Sequence, residues 1–258
     1  MAWFMGKGRN QQRAFGRAQT TAVHPKPNFD LCRNCGARAE SLFCPDCGQS
    51  TKVGIPRLHE LLHEGFGAFF SYDAKIWRTL VVLVSQPGQL TLDYIDGKRV
   101  RYLTPFQLFF WLQAIAFVSH RVFFSQDPRE IDLKTKALLV VGIVFVVGLA
   151  IMNVTKKLNF LVHLIAGTHI WSFLMLVLLV EYTAIPPIIR ILEISRILPL
   201  HMEIGRSLTL IAQIIMSVYL LLSIRRLYCL STLWAVIQTA SLFGLYRLVA
   251  VIIDKTWA

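Results

Sequence analysis

Charge is scarce over most of this chain. Only 16% of its 258 residues are charged, and beyond about residue 104 long runs hold almost none, while 55% are apolar and the mean hydropathy is +0.52. That balance excludes an ordinary soluble domain, which is roughly 45 to 50% apolar, and points to a membrane protein with a charge-bearing soluble part ahead of it. A dense basic stripe interleaved with stacking aromatics is also missing, although Lys+Arg outnumber Asp+Glu by 27 to 15 overall and by 14 to 8 up to residue 104. Nucleic acid is therefore an unlikely partner. Lys and Arg kept on the cytoplasmic side of a bilayer account for the net charge of +12. No continuous apolar signal core precedes the charged part: residues 1–28 read as a basic flexible tail carrying Lys7, Arg9, Arg13, Arg17 and Lys26.

Cysteine is rare too, and its distribution is informative. Four of the five cysteines fall in Cys32-Arg33-Asn34-Cys35-Gly36 and Cys44-Pro45-Asp46-Cys47-Gly48-Gln49. A two-residue gap lets one tight turn aim two thiolates at a single ion, so two such knuckles supply the four tetrahedral ligands of a closed structural zinc site. Gly36 and Gly48 suit the left-handed backbone of such turns. Disulfides would need an oxidising compartment, which the basic flanks and missing signal argue against. A redox CxxC would need a strand-to-helix setting that is not present. The expectation is one zinc ion per chain in a small ribbon over residues 29–52, with no open coordination position for chemistry. Cys229 reads as a small apolar filler.

Residues 55–84 suggest two short amphipathic helices with a break near 71–73. The first contains His59-Glu60-Leu61-Leu62-His63, the HExxH pattern in which two histidines bind zinc and the glutamate activates water. The flanking Pro56, Arg57 and Glu64, and the want of a third-ligand motif downstream, favour a polar helix face over a metalloprotease.

The next stretch holds Pro87-Gly88, then Tyr94, Gly97-Lys98-Arg99, Tyr102 and Pro105. Together with the CxxC...CxxCGQ head, this arrangement resembles DUF3667, a family of bacterial membrane proteins of unknown function. The resemblance covers roughly residues 31–110, and more loosely the paired-histidine segment from His163 to His169. It implies an architecture of zinc ribbon and helical membrane region, and no activity. On physical grounds Pro87-Gly88 and Asp96-Gly97 make turns. Lys98, Arg99 and Arg101 would anchor the end of the following span or bind anionic lipid. Tyr94 and Tyr102 would sit at the water–lipid boundary.

Five apolar stretches, 105–124, 137–154, 158–182, 208–224 and 230–253, are each long enough to cross a bilayer. Lys156-Lys157 and Arg225-Arg226 fall on the same side as residues 1–104, which puts the N-terminus in the cytoplasm and the C-terminus outside. Between the third and fourth stretches, Pro186-Pro187 would open an interfacial helix ending near Pro199. Ionisable groups within spans are candidate functional residues: His120, His163, His169, Glu181 and Arg247. His163 and His169 stand about 120° apart around a helix, so each needs a partner from another helix. Glu181 and Arg247 would each sit near a span end and reach water there, with a pairing of the two near the outer end as the alternative.

The expected fold is thus an all-α polytopic membrane protein of about five transmembrane helices with a small N-terminal zinc ribbon. Its divisions are 1–28 (tail), 29–52 (ribbon), 53–104 (membrane-proximal helical segment) and 105–258 (bundle). The expected role is a scaffold or accessory factor in the inner membrane, its cytoplasmic head docking a protein partner. No span carries the paired carboxylates or broken repeats of many transporters, so a transporter or channel using the intramembrane His and Glu residues is the second reading. A membrane metalloprotease through His59, Glu60 and His63 is the third.

Overall fold

A computed structural model describes residues 31–54, 57, 60, 75–123, 128–156, 158–194 and 200–256; for 120–123, 128–138, 182, 184–194, 200–204, 206, 247 and 249–256 it describes the backbone alone. Among the described residues there are seven α-helices, one 3-10 turn at Val154–Lys156, no strand, and one isolated bridge between Phe43 and Ser50. The helices are α1 (Lys75–Ser85), α2 (Gln89–Ile95), α3 (Pro105–Phe123), α4 (Pro128–Met152), α5 (Phe160–Ile194), α6 (Leu200–Tyr228) and α7 (Thr232–Thr256).

Local sequence sets the joints. α2 follows Gly88, whose φ of 76° is left-handed, and it ends in a complete Schellman motif. There Gly97, at φ 94°, donates to the Tyr94 carbonyl (3.1 Å) while the Lys98 N–H reaches back to Asp93 (2.9 Å). α3 begins with a reciprocal capping box: the Gln107 N–H donates to Thr104 Oγ1 (3.4 Å) and the Thr104 N–H to Gln107 Oε1 (3.0 Å). Pro105 takes the first helical position, where its missing N–H costs nothing.

α5 is the central element, packed against α3, α4 and α6 and touched by α1 and α2. Its buried side chains, among them Ala166, Ile170, Trp171 and Met175, form the core with Leu149 of α4 and Leu220 and Ile224 of α6. α4 and α5 approach so closely that a Cβ on Gly167 would stand 2.9 Å from Val146. The missing side chain at Gly167 is what lets the two backbones come this close.

Two of the five long helices carry runs long and apolar enough to cross a membrane, Phe160–Glu181 and Ser207–Tyr228. The described apolar runs of the others are shorter: Pro105–Ser119, Leu139–Met152 and Thr232–Tyr246.

Three expectations need correction. α5 continues to Ile194 through Pro186-Pro187, so these residues extend a long helix and do not open an interfacial one. Tyr94 and Tyr102 are buried, not at a lipid boundary. Cys229 is exposed, with a φ of 52°, in the left-handed turn between α6 and α7.

A candidate metal centre keyed to a buried turn

Each cysteine pair builds the same small loop. The Gly36 N–H donates to the Cys32 carbonyl and the Gly48 N–H to the Cys44 carbonyl, both at 2.9 Å. Cys32 and Cys44 in turn donate from their backbone N–H to Ala37 and Gln49, both at 2.8 Å. The glycines hold φ of 82° and 70°, a conformation that a β-carbon resists. The two loops face each other, with Cys32 Sγ 3.6 Å from Cys47 Sγ and Cys35 Sγ 3.5 Å from Cys44 Sγ, and all four sulfurs lie within 4.8 Å of one another. A tetrahedral zinc–thiolate site with bonds of about 2.3 Å has edges of about 3.8 Å, so the donor set fits one such ion. These sulfurs can hold a metal, and the arrangement is consistent with a zinc site. Four thiolates complete the coordination, which suits a structural role.

The loop after the second pair locks onto the turn after α2. Gln49 is only 4% exposed. Its Nε2 donates to the Gly97 carbonyl (2.7 Å), and its Oε1 accepts from the Arg99 N–H (3.0 Å) and the Val100 N–H (3.3 Å). Both ends of the amide are thereby satisfied by backbone. The Arg99 guanidinium bonds the Gly54 carbonyl and lies 5.0 Å over the Tyr94 ring, while Arg33 donates to the Val53 carbonyl (3.3 Å). Gly97 has a second reason to be glycine: a Cβ there would stand 2.7 Å from Val53.

Beneath this turn lies a buried carboxylate. Asp93 Oδ1 accepts from Lys98 Nζ and from Gln89 Nε2, both at 2.7 Å, and Oδ2 accepts from the Tyr102 hydroxyl at 3.1 Å. Arg226, near the end of α6, donates to Gln89 Oε1 and to the Pro87 carbonyl (3.3 Å). The chain of bonds thus links α6 to the turn that receives the head. Burial, and after it the Asp93 charge, raise the Tyr102 phenol above its ordinary value, with Arg101 and Arg78 opposing. Burial likewise raises the Asp96 carboxyl, with Lys98 and Arg33 opposing and Asp93 reinforcing.

The remaining sequence candidates are scattered. Lys98 and Arg99 are engaged inside the joint, while Arg101 is exposed with its guanidinium 5.7 Å over the Tyr102 ring. Pro87, Gly88 and Pro105 serve the turns and cap already described. His163 Nδ1 lies 3.0 Å from the Tyr228 hydroxyl on α6, and His169 Nδ1 lies 3.0 Å from Thr91 Oγ1 on α2, so the two histidines face different neighbours. Glu181 Oε1 accepts from Thr209 Oγ1 at 2.8 Å. The side chains of His120 and Arg247, and with them the Glu181–Arg247 pairing, lie outside the described residues, as do His59, His63 and residues 1–28. Glu60 accepts from the Arg57 N–H at 2.9 Å, a capping contact.

Sequence reasoning missed Gln49, Gln89, Thr91, Asp93 and Arg226 as joint residues. The available signal was Asp93, an acid five residues ahead of a basic cluster in need of a counter-charge.

A family model described as "Protein of unknown function (DUF3667)" matches residues 73–117, which contain α1, α2, the Gly97 turn and most of α3. No curated protein and no solved structure matches the chain.

Proposed function

We propose that the chain is a multi-pass inner-membrane protein with α3 to α7 as its five spans, and that a cytoplasmic zinc head held on one end of the bundle docks a protein partner. The membrane reading is supported by large apolar side chains exposed along the helices, among them Ile143, Ile151, Ile214, Val218, Ile237 and Leu248. Water does not solvate such a surface favourably and lipid does. Exposed Lys156, Arg225 and Arg101 gather at the head-side end, which supports a cytoplasmic head.

The single observation carrying the docking role is the apolar surface of the head itself. Leu31, Leu42 and Phe43 flank the cysteines and are 58%, 50% and 62% exposed. A module this small, clasped by a metal and already fixed to the bundle through Gln49, has no folding need for an exposed phenylalanine. The transport reading gains less support. His163, His169 and Glu181 are each engaged with a neighbouring side chain, and the cavity between α4, α5, α6 and α7 is lined by apolar and aromatic residues such as Phe145, Trp171, Met216 and Leu242.

The test is crosslinking and pull-down of the full chain from native membranes, comparing wild type with Leu42→Asp/Phe43→Asp. A partner recovered with wild type and lost with the double variant, while bound metal is retained, supports docking. Identical recovery from both removes the head from that role.

A further inference from the structure

We infer that α1 is an interfacial strut whose outer face lies in the headgroup layer of an anionic phospholipid leaflet; the inference rests on the membrane reading proposed above. α1 is apolar on two opposite sides. Its inner side buries Thr79 and Leu83 against α2 and α5, with the Thr79 hydroxyl accepting the Leu103 N–H (2.9 Å). Its outer side presents Trp77, Val81 and Val84, which are 75%, 61% and 52% exposed. At about 100° per residue these three share an arc of about 60°, a continuous stripe and not scattered exposure.

The described 11 residues of α1 are about 16 Å long against a hydrocarbon core of roughly 30 Å, and their outer stripe suits a helix lying along a bilayer surface. Its position fits that depth. Thr79 is tied to the residue two before Pro105, where α3 begins, so α1 sits at the head-side end of the bundle. Exposed Phe160 at the start of α5 and exposed Leu233 and Trp234 at the start of α7 mark the same end. Tryptophan is enriched at this depth because its ring is apolar and its N–H needs water or headgroup oxygen.

Charge selects the occupant. Arg78 and Arg101 are both exposed; Arg78 stands between Trp77 and Thr79, and Arg101, stacked over the Tyr102 ring at 5.7 Å, stands two residues before Leu103, whose N–H Thr79 holds, so both border the same end of the stripe. Two planar cations bordering an apolar stripe complement phosphate headgroups over acyl chains. A second copy of this chain would bring the same cations together and repel itself.

The test uses the full-length, metal-loaded protein in nanodiscs, with Cys229→Ser and a nitrobenzoxadiazole fluorophore on Val81→Cys or, separately, on Ile214→Cys. The quencher is doxyl-labelled phosphatidylglycerol or doxyl-labelled phosphatidylcholine. The expected result is quenching at both positions, with phosphatidylglycerol preferred at position 81 by about fivefold per arginine and the preference abolished by Arg78→Gln/Arg101→Gln. Quenching at 214 without quenching at 81, or equal quenching at 81 by the two lipids, overturns the strut. Shielding of the position-81 fluorophore that grows with protein concentration in detergent also overturns it, by marking a second copy as occupant. Absence of quenching at both positions removes the membrane reading and the strut together.

Discussion

The head and the bundle are stabilised by different means. Between residues 31 and 54 the buried side chains are Cys32, Ala39, Cys44, Gln49 and Val53, too few for a core of their own. The bundle buries Leu149, Ile170, Trp171, Leu220, Ile224 and many more in one continuous cluster. A module of the first kind, once a metal fills its four sulfurs, stands or falls with that ligand set, because the metal's binding free energy is then its folding free energy. A bundle of the second kind spreads its stability over many contacts and loses it by degrees. The joint between them is of a third kind, a set of buried polar bonds around Gln49, Gly97 and Asp93 in which each partner satisfies another.

Breaking the head should give the largest and most local effect. Cys44→Ser removes one of four sulfurs from a site whose metal is worth on the order of 10 kcal/mol. Bound metal should fall to none and the amides of residues 32–51 should exchange freely, while far-ultraviolet circular dichroism keeps its helical signal. A helical signal lost along with the metal would mean that the two regions do not fold independently.

Asp93→Ala strikes the joint from below. It strips Gln89 and the Tyr102 hydroxyl of their common acceptor, while the part-exposed Lys98 can turn to water, and should lower bundle stability by about 2 to 3 kcal/mol for the buried groups left without a partner. Thermal unfolding in detergent, with metal content retained, reads it. Gln49→Ala strikes from above and should cost about 1 to 3 kcal/mol for the backbone groups left without partners. Faster exchange at residues 97–100 with unchanged metal content is the expected signature, and unchanged exchange would show that the amide does not hold the joint.

The smallest effect has the opposite sign. Because the folded-state pKa of Asp96 is raised, the native state binds its proton more tightly than the unfolded chain does. Its ionisation therefore disfavours the fold, a penalty that grows as pH rises through the folded value and is absent below the ordinary carboxylate range. Asp96→Asn should raise the melting temperature at pH 7 and lose that advantage when the same melts are run near pH 3.

What the sequence made legible follows the same division. The four cysteines could be read directly, because ligand spacing is a local property and two knuckles need nothing from the rest of the chain. The helices of the bundle were legible as apolar stretches, and the start of α3 from Pro105. The joint was not legible. In α2 the polar Gln89, Thr91 and Asp93 alternate with apolar neighbours, so no one-sided helical stripe marks it for burial. It is buried because Arg226 and His169, 137 and 78 positions away from their α2 partners, meet its polar groups. Tyr94 and Tyr102 were misplaced for a related reason, since an apolar ring with a polar tip suits a lipid boundary and a buried carboxylate site equally. Pro186-Pro187 misled because a long helix can carry prolines when neighbours and local adjustment accommodate them.

The central claim is that a metal-clasped head is keyed through Gln49 to the turn at Gly97. Amide hydrogen exchange of the full chain in nanodiscs, before and after stripping the metal with a chelator, tests it most directly at Arg99 and Val100, whose N–H groups point at Gln49. Loss of protection at these two amides, with the α5 core unchanged, is the predicted result; protection that survives complete removal of the metal would contradict the claim.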